Sequence, residues 1–348
     1  MSFKPFYVNT CEDRVSNLQG IAFDTLSELP FEPFLIQDPF GLRKAVLPVF
    51  KRDSNGELCG MGTAFHIDGW GTFLSADHVI DFAREHPKST SCWTDVSLNS
   101  NGDHPVLFLG MGLVFGTVNI PKESFAFVKH IVSALREKDD PLLSLKGKTE
   151  SENAADLAVL TAVFEPGVKM PHSVPVKGSG WYPQIGEWVL AIGFPELGFD
   201  ENILSEGMYG AYGRIKEIHP HGTNESHPTP VFEVECNWLS GMSGGPVFNM
   251  SGEVVGLVSR SLPPDGDLPG SGMATYFHLI HYFDELVPTL DSLNPGWRKG
   301  WAVLRSEPWH LAGFFKTKAE AVELAKAMSS DYQVKYGSNN FGTDDFIS

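Results

Sequence analysis

A serine set among glycines is the first feature of the sequence with catalytic potential. The segment GMSGG, residues 241–245, places the hydroxyl of Ser243 in a turn where glycine allows unusual backbone angles and leaves the serine uncovered. Such a turn can aim two backbone N–H groups at one point, as stabilisation of a tetrahedral oxyanion requires. The segment therefore predicts a hydrolase nucleophile, although a plain glycine–serine turn between strands has the same composition.

The same segment also fits the G-x-S-x-G nucleophile elbow, which would make the protein an esterase of another fold. An elbow is followed by a helix, and its histidine comes later in the chain. Here residues 246–250 and 253–260 predict two strands around a Ser-Gly turn, which disfavours the elbow. His278 and His281, which follow Ser243, lie three apart on a predicted helix and are better explained as surface or packing residues.

A histidine and an aspartate upstream of the serine can complete the chemistry. His78 ends a predicted strand, and a neutral imidazole is the usual base for a serine nucleophile near pH 7. Asp156 stands at the start of an apolar segment, where a half-buried carboxylate can orient the imidazole. Taken alone, Asp156 is explained equally well as a strand-capping carboxylate. The chain order His, Asp, Ser is that of chymotrypsin-type enzymes.

Short apolar segments separated by turn residues predict the framework that must position these three groups. Many short strands at this spacing favour a sandwich or a barrel over βαβ units. The predicted strands lie at 45–52, 60–68, 72–80, 106–116 (a pair), 156–163, 187–195, 210–218, 231–239, 246–250 and 253–260. Apolar residues recur at helical spacing over 123–140, which predicts an amphipathic helix, and a closing helix is predicted over 276–286.

Taken together, three segments resemble the trypsin-like serine peptidase superfamily, in its bacterial branch without disulfides. GTAFHIDGWGTFLSADHVI (62–80) is similar to the strand–turn–strand that leads to that family's histidine, and DLAVL (156–160) to its aspartate segment. GMSGGPVFNMSGEVVGLVS (241–259) is similar to its serine loop and the hairpin that follows. The resemblance covers about 45–290.

The resemblance implies an all-β fold, a double six-stranded antiparallel β-barrel of chymotrypsin-like type with a helical insertion. It implies a protease domain over 41–292 that follows a lead-in segment over 1–40. Because the chain between His78 and Asp156 is longer than the fold needs, residues 82–150 are expected to form an insertion beside the active site.

The resemblance also implies a role for each matching residue. Ser243 is expected to be the nucleophile, His78 the general base and then acid, and Asp156 the group that orients His78. The backbone N–H groups of Gly241 and Ser243 are expected to form the oxyanion hole, and Ser259 to support the aspartate. No cofactor and no metal are expected.

The resemblance says less about specificity. Asn237, six residues before Ser243, is expected at the base of the first substrate pocket. Trp238, Ser261 and Met273 are expected to line that pocket, and Arg260 and Ser261 to lie on the edge that pairs with extended substrate. Because no carboxylate stands at the base, an uncharged substrate side chain is expected there.

The last residues, 293–348, predict a separate ββαββ module. Thr317 and Glu320 form the sequence pattern of a capping box for its helix over 317–328. This module or residues 82–150 are expected to receive a regulatory protein partner. An alternative reading of the whole chain is a weak or inactive protease-fold protein that binds peptides, since Met242 replaces the acidic or small polar residue usual before the serine.

Composition limits the other partners and suggests a location. The formal net charge is −17, which disfavours nucleic acid and anionic lipid, so protein or peptide substrate is expected with neither nucleic acid nor membrane as partner. The N-terminal segment lacks an apolar core of signal-peptide length, and none of the four cysteines forms a C-x-x-C pair. These features predict a cytoplasmic protein.

Overall fold

The structure of the protein is a computed structural model. It describes residues 33–36, 42–68, 70–83, 92–96, 98, 102–109, 124–137, 145–146, 151–165, 168, 173–174, 176–178, 180–195, 198–200, 203–205, 207–223, 229–262, 270–280, 283, 297–340 and 343–347.

Strands dominate the described residues, as the turn-rich sequence predicts. In chain order the elements are β1 (Phe34–Leu35), β2 (Val46–Arg52), β3 (Leu58–His66), β4 (Thr72–Ser75), α1 (Asp77–Ile80), β5 (Cys92–Val96), β6 (His104–Phe108), β7 (Phe125–Glu137), β8 (Ser151–Val163), β9 (Trp188–Gly193), β10 (Gly198–Asp200), β11 (Ile203–Ser205), β12 (Tyr209–His219), β13 (Val231–Val234), β14 (Pro246–Phe248), β15 (Val254–Leu262), β16 (Ser271–Tyr276), β17 (Trp297–Arg305), β18 (His310–Phe315), α2 (Lys318–Lys326), β19 (Gln333–Asn340) and β20 (Phe346–Ile347). Short 3₁₀ turns lie at Leu42–Lys44, Asp81–Ala83 and Phe277–Leu279. Across the described ranges, no helix has the length and apolar character needed to cross a membrane.

Two closed antiparallel barrels form the body of the protein. In the first barrel the strand order is β7-β6-β2-β3-β4-β8, and pairing of β7 with β8 closes it. In the second barrel the order is β12-β13-β16-β15-β14-β9, and pairing of β12 with β9 closes it. The predicted all-β double six-stranded barrel is therefore confirmed.

Strand periodicity fills the interior of each barrel. In the second barrel, β9 contributes Val189 and Ala191 and β16 contributes Ala274 and Tyr276, all buried in one cluster. Each pair is two residues apart, which is the spacing that sends side chains to the same face of a strand. The alternation seen in the sequence is thus the alternation that builds the core.

The predicted helix over 123–140 is wrong, because residues 125–137 form the long strand β7. The register of β7 against β8 shifts between Val128 and His130 and again between Ser133 and Leu135. Each shift moves the two-residue alternation by one position, so buried residues recur three or four apart as they would in a helix.

The predicted insertion over 82–150 also needs correction. Strands β6 and β7, both inside that range, are two of the six strands that close the first barrel, and β5 pairs with the outer part of β7. The described part of this stretch therefore consists mainly of strands of the barrel wall and of β5, which extends it. Of the predicted closing helix over 276–286, the described part is one 3₁₀ turn, and most of its second half lies outside the described residues. Residues 33–36 of the lead-in segment add β1 to the edge of β12.

The C-terminal segment forms the predicted small α+β unit. Its sheet has the order β18-β17-β19-β20, and α2 connects β18 to β19. The predicted capping box is present: Glu320 N–H donates to Thr317 Oγ1, and Thr317 N–H donates to the Glu320 carboxylate. These two bonds satisfy donors that the first helical turn would otherwise leave unpaired.

The C-terminal unit contacts the first barrel through a buried carboxylate. Asp68, in the turn between β3 and β4, is 3% exposed and accepts hydrogen bonds from the backbone N–H groups of Trp70 and Thr72. Lys316 lies between β18 and α2 of the C-terminal unit. Its Nζ is 3.1 Å from Asp68 Oδ2 and 2.7 Å from Thr72 Oγ1. The ion pair between Lys316 and Asp68 therefore joins the C-terminal unit to the first barrel.

An aromatic contact accompanies this ion pair. The rings of Trp70 and Phe314 stack with their centroids 5.4 Å apart. The Arg298 guanidinium carbon lies 4.3 Å from the Trp70 ring centroid, which is cation–π distance. The C-terminal unit thus holds the turn that leads directly into β4 and α1.

We expect Asp68→Ala to lower the free energy of unfolding by about 2–4 kcal/mol, because it removes the counter-ion of Lys316 and leaves two backbone N–H groups without their acceptor. Urea denaturation of the whole chain measures the change. Lys326→Ala, which breaks an exposed pair with Glu323, is the matched control and should leave stability unchanged. Equal stability of both variants would show that the Asp68 contact does not hold the unit in place.

Candidate active site

Strand pairing brings His78 to Asp156. Ser75, the last residue of β4, pairs with Ala158 on β8, two residues beyond Asp156. The chain then turns into α1, and the His78 side chain remains 49% exposed beside the Asp156 side chain, which is 15% exposed. Asp156 lies within β8, which begins earlier than predicted, at Ser151.

The Asp156 carboxylate binds both the ring and the backbone of His78. His78 Nδ1 lies 2.9 Å from Oδ2 and 3.1 Å from Oδ1, and the His78 backbone N–H donates to Oδ1 at 3.1 Å. An ionised carboxylate can only accept, so Nδ1 carries the proton of the neutral ring. The lone pair of the neutral imidazole is therefore on Nε2.

Ser259, from the second barrel, completes the surroundings of Asp156. A register shift between Val258 and Arg260 places Ser259 at an irregularity of β15. Its hydroxyl donates to Asp156 Oδ2 at 2.5 Å, and its carbonyl accepts from Ser243 Oγ at 3.5 Å. Ser259 therefore connects the carboxylate to the serine across the seam between the barrels.

The two ionisable groups stabilise each other's charged forms. Burial alone would lower the pKa of His78, but the hydrogen bond and charge of Asp156, with the charges of Asp77 and Asp81, outweigh burial and raise that pKa. Burial alone would raise the pKa of Asp156, yet the bonds from His78 and Ser259 and the charge of His78 lower it. Asp156 is therefore ionised while His78 titrates.

The serine loop requires glycine at two positions. Gly241 has φ +91°, and a Cβ there would lie 2.7 Å from the carbonyl oxygen of Phe194. Gly244 has φ +82°, and a Cβ there would lie 2.2 Å from the carbonyl oxygen of Thr63. Both the backbone angle and the close approach exclude a side chain, as the glycines in the sequence suggested.

Thr63, on β3 of the first barrel, fixes this loop. Its hydroxyl donates to the carbonyl of Gly241 at 2.9 Å and accepts from the N–H of Phe194 at 3.0 Å. Its own N–H donates to the carbonyl of Ser243 at 2.8 Å. The buried Thr63 was missed by the sequence analysis, since its contacts depend on pairing between residues far apart in the chain.

The N–H groups of Gly241 and Ser243 have no acceptor within the described part of the chain. They are the two donors that the sequence assigned to an oxyanion hole. In the same ranges, His78 and Ser243 share no hydrogen bond, because the Ser243 hydroxyl is directed to the carbonyl of Ser259.

The expected pocket residues divide into buried and half-buried side chains. Trp238 is 1% exposed and Met273 is 6% exposed. Trp238 packs against Gly272, where a Cβ would lie 2.1 Å from the indole. The half-buried residues are Asn237, Arg260 and Ser261. The indole thus occupies space against β16 rather than bordering an open pocket.

A cavity that the sequence analysis missed borders the serine loop. Its volume is about 450 Å³, and Gly241 is one of its walls. It is lined by Gly60, Met61, Gly62, Pro195, Leu239, Ser240 and Gly241. The cavity lies between β3 and the serine loop, and none of its lining residues belongs to β15.

Asp77, also missed, is a buried carboxylate next to His78 in sequence. Its Oδ1 accepts from Ser133 Oγ and its Oδ2 from Asn153 Nδ2, both at 2.6 Å. Ser133 belongs to β7 and Asn153 to β8, so Asp77 ties α1 to two barrel strands. Asp77 is fully buried, and its donors could not be identified before the register of β7 was known.

Comparison with known proteins places this geometry in a family context. The profile of the trypsin-like peptidase domain matches residues 62–257. A probable periplasmic serine endoprotease DegP-like of Pseudomonas fulva is 29% identical over 198 residues, 54% of this chain and 36% of that protein. The DegP-like protein of Pseudomonas putida strain W619 is 31% identical over 171 residues, 48% of this chain and 32% of that protein. The chain therefore spans about a third of the length of these curated relatives.

Among solved structures, the active form of the Rv3671c protease from M. tuberculosis is similar, with a TM-score of 0.41 and 14% identity. The match covers 72% of this chain and 83% of that one.

The predicted cytoplasmic location is contradicted by these relatives, which are named periplasmic serine endoproteases. The prediction rested partly on the scarcity of cysteine motifs. Disulfides are favoured in an oxidising compartment but are not required there, so their absence does not identify a reducing one.

We expect Asp77→Asn to lower the pKa of His78, because it removes one of the negative charges that favour the imidazolium. The amide has nearly the same shape, and the Ser133 hydroxyl can exchange its donor role for an acceptor role. NMR titration of the His78 ring, assigned with His78→Gln, measures the shift.

Asp331→Asn, in the C-terminal unit, is the control for this titration and should leave the His78 midpoint unchanged. If Asp77→Asn left the His78 midpoint where it is in the wild type, Asp77 would have no electrostatic influence on the ring.

Proposed function

Because the chain belongs to the trypsin-like peptidase family, we propose that it is a serine endopeptidase with Ser243 as nucleophile, His78 as general base and Asp156 as orienting carboxylate. The proposal is carried by one observation. Asp156 holds the Nδ1 side of His78 and also the hydroxyl of Ser259, whose carbonyl accepts from Ser243. Three groups distant in sequence are thereby within one short hydrogen-bonded chain.

In the proposed reaction, Ser243 rotates toward Nε2 of His78, and its Oγ attacks the peptide carbonyl carbon as Nε2 takes the proton. Asp156 stabilises the imidazolium that results. Collapse of the tetrahedral intermediate breaks the C–N bond, and His78 gives its proton to the departing amine. A water molecule, deprotonated by His78, then attacks the acyl-enzyme ester and releases Ser243.

The backbone N–H groups of Gly241 and Ser243 are proposed to stabilise the oxyanion in both halves of the reaction. Neither donates to an acceptor among the described residues, so both are available to a substrate oxygen. The Thr63 side chain, which binds the carbonyl of Gly241, holds this loop before substrate arrives. Donors that are fixed in advance need no reorganisation in the transition state.

Extended substrate is proposed to bind on both sides of Ser243. On one side, β14 pairs with β15 only as far as Leu257, and no other described strand pairs with the edge of β15 from Ser259 to Leu262, which can therefore take an added strand. On the other side lies the cavity of about 450 Å³, which suits the residues after the scissile bond. Binding sites on both sides of the bond favour an endopeptidase.

The first substrate pocket is proposed to accept a small uncharged side chain. Trp238, expected on its wall, is buried against Gly272 and fills space that a larger substrate side chain would need. The sequence places an amide, Asn237, rather than a carboxylate at the predicted base. The proposed preference is therefore for an uncharged substrate side chain, as inferred from the sequence, and among uncharged side chains for a small one.

Location and regulation follow as further parts of the proposal. The DegP-like relatives favour action in the periplasm on protein or peptide substrates. Control through the unit at 294–348 or the stretch 82–150 stays a prediction. The ion pair of Lys316 with Asp68 supports the first route, since that turn leads into β4 and α1.

We expect a fluorophosphonate probe to label Ser243 and expect Ser243→Ala to abolish labelling and lower peptide hydrolysis by at least ~10⁴-fold. Mass spectrometry of the labelled peptide identifies the site. Ser251→Ala, on an exposed turn, should keep both labelling and turnover. Peptide binding without labelling or turnover in the wild type would favour the alternative of a protease-fold binding protein.

We expect Thr63→Val to lower kcat by about 10- to 100-fold with a smaller change in KM, because the Gly241 carbonyl and the Phe194 N–H lose their partner. Valine keeps the shape but removes the hydroxyl. Steady-state kinetics on one peptide measures both constants. Thr161→Val, at an exposed position of β8, is the control, and equal kcat in the two variants would contradict a role for Thr63 in the loop.

A further inference from the structure

Arg260 brings a cation to the edge where substrate is proposed to bind. It follows Ser259 directly on β15, so their Cα atoms are about 3.8 Å apart. Ser259 itself contacts both Asp156 and Ser243. The Arg260 backbone is therefore one residue from the reacting groups.

Neutral groups hold the Arg260 side chain. Its Nε donates to Met273 Sδ at 3.2 Å, and its Nη2 donates to Thr223 Oγ1 at 2.9 Å. Thioether sulfur is a weak acceptor, and of the five N–H donors of a guanidinium only two have an acceptor among the described residues. The side chain is half-buried and fixed in direction by these two contacts.

In the part of the chain that the structure describes, the side-chain contacts of Arg260 go to Met273 and Thr223 and none goes to a carboxylate. Glu233, which pairs with Met273 across the sheet, is bound to Lys216 Nζ at 2.9 Å. This is unusual in a protein with a net charge of −17, in which acidic side chains outnumber basic ones. A half-buried cation with no carboxylate at ion-pair distance among the described residues favours an anionic ligand.

We propose that Arg260 is a specificity-determining residue that binds an Asp or Glu side chain of the substrate, among the few residues that precede the scissile bond. The inference rests on the proposed function. In the proposed function, the residues before the scissile bond pair with the edge of β15 from Ser259 to Leu262, so a strand added there carries side chains past Arg260. A planar guanidinium held in advance can bind a carboxylate through two parallel hydrogen bonds.

The test compares fluorogenic peptides that differ only in Glu or Gln at each of the four positions before the scissile bond. At one position, wild-type kcat/KM should be at least ~10-fold higher for Glu, and added NaCl should reduce that ratio. In Arg260→Gln the ratio should fall to within about 2-fold, mainly through a higher KM for the Glu peptide. In Arg260→Glu the enzyme should prefer Lys to Glu at that same position.

Arg214→Gln is the matched control. Arg214 is also an arginine of the second barrel, it lies near Glu235 and over the Trp188 ring, and its loss should leave the Glu preference intact. Equal kcat/KM for Glu and Gln peptides at all four positions in the wild type would overturn the inference. So would a Glu preference that survives Arg260→Gln.

Different results would contradict the proposed peptidase function and the proposed role of Arg260. Turnover of the Gln peptides and labelling of Ser243 in the wild type test the peptidase itself. If both are present and the Glu preference is absent, the peptidase stands and the role of Arg260 falls. If neither labelling nor turnover of any peptide occurs, the proposed function fails first.

Discussion

The carboxylate of Asp156 is the group on which the rest of the arrangement depends. It is a mostly buried charge, and such a charge is stable only when several donors surround it. Its donors come from α1, through the ring and backbone of His78, and from the second barrel, through Ser259. The two barrels must therefore be docked before this charge is satisfied, so the site and the tertiary fold form together.

A second set of bonds crosses the same seam in the opposite direction. Thr63 belongs to the first barrel, yet it binds the carbonyl of Gly241, the N–H of Phe194 and the carbonyl of Ser243. The imidazole side of the site is thus steadied by the second barrel, and the serine side by the first. Neither half can shift alone without breaking hydrogen bonds on both sides.

The sequence predicted the fold where short segments carry their own signal. Glycines around Ser243, the alternation of β9 and β16, and the capping box at Thr317 are local patterns, and the structure follows them. The prediction from sequence was wrong where strand register determines the apolar pattern. Two register shifts in β7 give this strand the apolar spacing of a helix. The contacts of Asp77 and Thr63 were not predicted for the same reason, because their partners depend on pairing between strands that are distant in the chain.

Lys316 and Asp68 are 248 residues apart in the chain, so their contact can form only late in synthesis. During synthesis, Asp68 leaves the ribosome long before Lys316, so its carboxylate gains this cation only after both barrels have emerged. A chain that stops early has an unpaired charge and an uncovered Trp70 indole beside the turn into β4.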